Sequence, residues 1–257
     1  MLKLDAYKLK WIAIIGMFAN HAVIAWWEII PTWLALPLYA AGGLTFPIMA
    51  YFVVEGYKHT TNLRRYMLRL FIFGLIAVPF HILTLGTQLG NGYPVLNIMF
   101  TIILSLIVLV LYDKIKYRWL FWIIYVLLII PASLLFEWSF PGVTMVLLFY
   151  IIKNEKMRRI FPPIGAILLN MALALVFLIP GVEMPDKTGL LADPNFVTVS
   201  GIFVLGILLS SVLLLFYNNE RGKRMKWLFY AFYPIHLAVL AAVALALGLI
   251  SLSVFGF

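Results

Sequence analysis

The sequence predicts an all-α, polytopic membrane protein, a helical bundle of about nine transmembrane helices. Two observations carry that prediction. Hydrophobic residues make up 65% of the chain and charged residues 11%, where soluble domains carry about a quarter charged. The charges also punctuate long apolar runs, and a helical crossing needs roughly 20 apolar residues.

Taken in order, the spans lie near 11–30, 33–54, 66–85, 95–112, 119–136, 138–152, 161–181, 196–217 and 227–250. Lys3, Lys8 and Lys10 precede the first. No small-residue cleavage site follows it, so it is expected to remain as a helix. Pro31, Pro37 and Pro47 lie in or beside the second span and are expected to kink it. The sixth span is short. Pro141-Gly142 near its start predicts a tilted or broken helix. The stretches GTQLGNGYP at 86–94 and VEMPDKTGLLADPN at 182–195 read as loops. With no internal repeat and no separate soluble region, residues 1–257 read as a single transmembrane domain.

The basic residues orient the spans. Lys3, Lys8 and Lys10, then Lys58, Arg64, Arg65 and Arg69, then Lys114, Lys116 and Arg118 all fall on one side. So do Lys153, Lys156, Arg158 and Arg159, and finally Arg221, Lys223, Arg224 and Lys226. Only Lys187 falls on the other. The rich side is the cytoplasm, which puts the N-terminus inside and the C-terminus outside. Glu28, Glu137, Glu183, Asp186 and Asp193 belong to the outer side. The formal charge of +9 therefore reports orientation in a lipid bilayer, and nucleic acid is not an expected partner. The chain has no cysteine, hence no disulfide, no thiolate nucleophile and no cysteine metal site. Its four histidines have no paired spacing, so no metal is expected. A Gly-rich phosphate loop and a GxSxG elbow are both missing.

Depth selects the candidate chemistry. At 1.5 Å of rise per residue, His21 lies roughly 15 Å into the first span and His236 roughly 13–14 Å into the last. Both are near the midplane of a roughly 30 Å core, and Asn20 and Asn170 are at similar depth. His81 is expected nearer the outer face. A polar side chain at that depth needs a partner inside the protein. Histidine serves as base or acid near neutral pH, and a histidine bonded purely for packing is the competing reading. For His236, Pro234 frees a backbone carbonyl one turn earlier and offers such a structural bond. At the inner end of the second span stand Glu55, Lys58 and His59, followed by Arg64, Arg65 and Arg69. Arg65 and Arg69 share a helix face. The cluster suits phosphates held by charge-assisted bonds, while the topology rule alone also accounts for basic residues there. Arg69 lies inside the apolar run, and Glu55 is its expected partner.

The stretches LKWIAIIGMFANH at 9–21, FPIMAYFVVEGYKHTTNLRRYMLRL at 46–70, NIMFT at 97–101 and FYPIHL at 232–237 resemble the TraX family of membrane proteins. That family is typified by an enzyme that acetylates the N-terminus of conjugative pilin. It is similar in turn to larger membrane acyltransferases that carry acetyl groups from cytoplasmic acetyl-CoA to surface sugars and use a histidine in the membrane. The resemblance implies that His21 is the first-helix histidine of the family, that Glu55, His59, Arg65 and Arg69 form its loop motif, and that His236 belongs to its last-helix motif. Many members carry Asp before the first histidine. Here the residue is Asn20, so no carboxylate precedes His21 in the chain.

The resemblance implies a multi-pass acetyltransferase of the bacterial cytoplasmic membrane. Acetyl-CoA is the expected co-substrate, with its phosphates on Arg64, Arg65, Arg69 and Lys58. The acceptor is an amine or hydroxyl of an exported peptide, a lipoprotein or a glycan. His21 is the expected base, and Asn20, Asn97, Asn170 and His236 are the candidates for stabilising the oxyanion or touching substrate. The rival class is a non-enzymatic membrane protein: a transporter, an immunity factor or a component of a secretion assembly.

Overall fold

The computed structural model describes residues 3–86, 95–176, 194–224 and 226–250. Secondary structure among them is helical: α1 Ala6–Ala25, α2 Thr32–Gly43, α3 Thr45–His59, α4 Leu63–His81, α5 Ile98–Lys114, α6 Arg118–Ile124, α7 Ile130–Ser133, α8 Ser139–Ile151, α9 Glu155–Val176, α10 Pro194–Leu215 and α11 Lys226–Ala246. The α2–α3 and α6–α7 pairs each continue as one interrupted rod, so the described residues form nine rods, as expected. Four stretches are long and apolar enough to cross a membrane: Ala6–Ala25, Thr32–His59, Leu63–Leu85 and Trp227–Ala246. The loops expected at 86–94 and 182–195 fall outside the described residues, apart from Gly86 and the first residues of α10.

Side-chain caps start several helices. Asp5 accepts from the Lys8 amide at α1, Asn62 from the Arg65 amide at α4, and Asn97 from the Met99 amide at α5. Prolines set the interruptions. Pro47 has no N–H for the Gly43 carbonyl one turn back, and α2 gives way to α3 at Leu44. Two π-helical turns, Ile82–Gly86 after Pro79 and Tyr125–Ile129 before Pro131, break α4 and the α6–α7 rod in the same way.

Helix α3 is the centre of the bundle. Phe46, Ile48, Ala50, Tyr51, Val53 and Val54 are all buried. Around it runs a ring in the order α1, α2, α10, α9, α8, α5, α4, α11 and back to α1, with α6–α7 outside α5 and α8. Two contacts close this arrangement. Leu4 pairs with Tyr217, which anchors the start of the chain to the stretch after α10. Helices α2 and α10 cross backbone to backbone: a Cβ on Gly206 would run into the Ala40 carbonyl, and one on Gly43 into the Phe203 carbonyl. The outer faces stay apolar, with Leu68, Phe71, Ile72, Leu75 and Ile76 exposed along α4. Lipid is the solvent such a face fits.

Helix length decides where the polar groups end up. The 13 residues of α8 span roughly 20 Å, two thirds of a roughly 30 Å core. The turn before α8 carries Glu137, which was expected at the outer surface. The short helix instead holds that turn inside the bundle. Pro141 falls in the first turn of α8, where a missing N–H is tolerated.

Candidate active site

On α1, residues 10, 14, 17 and 21 fall on one face, four or three apart. His21 ends that stripe and is 4% exposed. Its Nδ1 lies 2.8 Å from Nε2 of His236 on α11. The His236 Nδ1 in turn lies 2.9 Å from the Phe232 carbonyl oxygen. These two contacts determine the tautomers of the neutral rings. A carbonyl only accepts, so His236 donates from Nδ1 and accepts at Nε2. His21 must then donate from Nδ1, and its Nε2 is left with a lone pair. The structural bond expected for His236 is therefore present, to Phe232, and the same bond orients His21.

Glu137 faces that lone pair. Its Oε1 lies 3.9 Å from His21 Nε2, beyond hydrogen-bond reach. Two acceptors facing each other across that gap call for a donor shared between them. The other oxygen, Oε2, accepts from the Ile98 amide at 2.9 Å and the Tyr233 hydroxyl at 3.2 Å, and His81 Nε2 stands 3.4 Å away in ion-pair range. The backbone fixes the carboxylate as firmly as these bonds do. Leu96 donates to the Leu135 carbonyl, and Glu137 donates to the Leu96 carbonyl. Two residues on, Ser139 has a φ of 42°, a left-handed conformation that is uncommon outside glycine and found at turns and functional sites. The carboxylate also sits at the N-terminus of α5, where the helix dipole favours negative charge. Asn20 precedes His21 in the chain, and Glu137 brings a carboxylate to His21 from a distant segment.

These groups line one end of a slot between the helices. Asn20, His21, Thr45, Glu137 and Tyr233 form its polar end, and Trp138 stacks on Phe46 beside them at 4.4 Å. Away from that end the lining is apolar: Met17 and Ile14 on α1, Met49 on α3, Ile102 on α5 and Phe229 on α11. The four helices all lead from the polar end toward the face that carries the basic residues. Gly42 leaves room for Asn20, since a Cβ there would collide with the Asn20 side chain. The Asn20 Nδ2 is buried in the slot wall without a hydrogen-bond partner, the feature of a donor held for a ligand.

The remaining expected site residues separate. Asn97 is a structural cap, accepting from Met99 and donating to the Gly74 carbonyl at 2.9 Å. Asn170 is exposed and bonded to the Ala166 carbonyl of its own helix, so it does not join the histidines as depth alone suggested. Glu55 pairs with Arg158 at 3.1 Å, and with Lys58 and His59 at 3.7 Å, instead of with Arg69. Arg158 and Arg159, expected in a loop, lie in the first turns of α9 and are 5% and 9% exposed. Arg158 donates to the Tyr51 hydroxyl at 2.6 Å, and Arg159 to the Tyr217 carbonyl at 3.0 Å. Arg64 and Arg65 are exposed at the start of α4, and the Arg69 guanidinium lies over the Tyr230 ring at 5.5 Å. Glu137, His81 and Tyr233 are the site groups that sequence reasoning missed. The signal for Glu137 was a lone acidic residue between two apolar runs, the second too short to cross.

Fold and site together define an all-helical protein with candidate membrane spans and a buried histidine–glutamate cluster at the end of an apolar slot. The chain belongs to the TraX family, described as TraX protein, whose model matches residues 6–244. It is 29% identical over 252 residues to a probable fimbrial assembly protein FimC, serogroup H1, of Dichelobacter nodosus, covering 95% of this chain and 97% of that protein. No solved structure matches the chain at a significant level.

Proposed function

We propose that this protein is an acetyltransferase of the bacterial cytoplasmic membrane, moving an acetyl group from acetyl-CoA to an amine or hydroxyl of an exported peptide, lipoprotein or glycan. One observation carries the reading: the His21 Nε2 lone pair stands at the polar end of the apolar slot, fixed by His236 and faced by Glu137. In this reading the pantetheine arm fills the slot from the basic, cytoplasmic side. The acceptor N–H or O–H occupies the gap between His21 and Glu137. As its nitrogen or oxygen attacks the thioester carbonyl, His21 takes the proton. The free Asn20 amide donates to the developing oxyanion. Collapse of the tetrahedral adduct breaks the C–S bond, and the CoA thiolate takes up the proton. The membrane topology is nine crossings with the N-terminus inside.

Purified protein in lipid vesicles, supplied with labelled acetyl-CoA, tests this directly. The wild type is expected to transfer label to peptide N-termini or glycan hydroxyls. A second reading comes from the Dichelobacter nodosus relative, whose name marks it as a fimbrial assembly protein. Under that reading the chain is a non-enzymatic assembly component. A chain that supports pilus assembly yet transfers no label to any acceptor decides for it.

A further inference from the structure

We propose that Lys10 receives the diphosphate of the acyl donor at the end of the slot opposite His21; this rests on the acetyl-CoA reading above. Lys10 continues the α1 stripe that lines the slot, one turn beyond Ile14. Its ammonium lies over two rings, 4.9 Å from the Phe52 centroid and 5.1 Å from that of Phe229. Phe229 itself lines the slot. Arg69 lies over the adjacent ring, Tyr230.

Neither cation has a carboxylate within ion-pair distance among the described residues, although Arg158 and Arg159 nearby on the same face of the bundle both do. The charged neighbour that acts on Lys10 is Arg221, a third cation. A partly desolvated ammonium held only by ring faces keeps its three donors available. Two positive charges, Lys10 and its neighbour Arg221, attract a dianionic group.

Distance gives an independent check. From Lys10 to His21 is eleven residues of one helix, roughly 16–17 Å along its axis. In CoA about thirteen bonds separate the thioester sulfur from the nearest phosphorus, an extended reach of about 15 Å at the advance per bond of an extended chain. A donor whose carbonyl is at His21 therefore ends its arm at Lys10. Arg64 and Arg65, exposed at the start of α4, are left to the outer phosphate or to solvent.

Affinities of the purified protein for pantetheine, 4′-phosphopantetheine and CoA, measured by calorimetry or thermal shift, test the assignment. The wild type is expected to bind the two phosphate-bearing ligands at least about tenfold more tightly than pantetheine. Lys10→Met should lower CoA affinity by about 10–100-fold, toward that of pantetheine, and Lys10→Arg should stay within about threefold of wild type. Lys116→Ala, on a remote exposed loop, should change nothing. A wild type that binds none of the three overturns the acetyl-CoA reading and this site with it. A wild type that binds all three equally, or a folded Lys10→Met that binds CoA as well as wild type, overturns the Lys10 assignment alone. If Lys10→Met does not fold, the wild-type ligand series decides.

Discussion

His21 is useful to a reaction only in one tautomer, and its neighbours impose that tautomer. Phe232 holds His236, and His236 holds His21, by bonds of 2.9 and 2.8 Å. His21→Ala should therefore reduce acetyl transfer on the order of 10²–10⁴-fold with folded yield and CoA binding retained. His236→Ala should reduce it less, because the ring it orients survives, and His236→Gln should restore part of the loss, since a Gln carbonyl can accept from His21 Nδ1 as His236 does. Turnover of labelled acetyl-CoA beside size-exclusion profiles separates the cases. Loss of fold in His21→Ala, or unchanged transfer, would make the pair a packing device. The two histidines were legible from depth arithmetic on single helices. Glu137 was not, because its depth depends on how far a short helix carries the turn before it. His81 reaches the same cluster from α4, and the π-helical turn that follows it, Ile82–Gly86, packs that end of α4 against α11, with Thr84 donating to the Leu237 carbonyl at 3.2 Å.

At the level of elements, α1, α2 and α10 pack with almost no side chain between some of their turns. Gly43 and Gly206 make the α2–α10 crossing, and Gly16 makes room for the Ala41 carbonyl at the α1–α2 crossing. Small residues at such crossings gain dispersion contacts and lose them when the backbones are forced apart. Gly206→Val should lower stability by about 1–3 kcal/mol, read as a fall in Tm in detergent, and should widen the wall that holds Trp138 and Phe203. Gly201, five residues earlier on α10, has open space where its Cβ would go. Gly201→Ala should leave Tm unchanged or raise it. Equal losses at both positions would mean that the crossing does not hold the bundle together. The number and order of the helices were readable from apolar run length. The interruption at Leu44 was anticipated from Pro47, but the close crossing was not, since isolated glycines in an apolar run do not reveal which helix they face.

For the whole molecule, the alternation of basic and acidic linkers predicts which face meets which compartment. The helix lengths add a second constraint that loop charge alone does not contain. If the basic face is cytoplasmic, Lys116 and Arg221, both exposed, lie inside, and Glu28, exposed in the turn between α1 and α2, lies outside. The turn before α8 is buried inside the bundle, with the Glu137 side chain only 18% exposed. It is sunk by the 13-residue length of α8, and the Ser139 hydroxyl there is buried. The chain has no native cysteine, so single substitutions report position cleanly. Glu28→Cys should react with an impermeant thiol reagent added outside intact cells. Lys116→Cys and Arg221→Cys should react only after the membrane is opened. Ser139→Cys should resist the reagent in both conditions and react after unfolding. Labelling of Arg221→Cys from outside would reverse the orientation. Ready labelling of Ser139→Cys from outside would place Glu137 at the outer surface and separate it from His21, removing the gap on which the proposed chemistry depends.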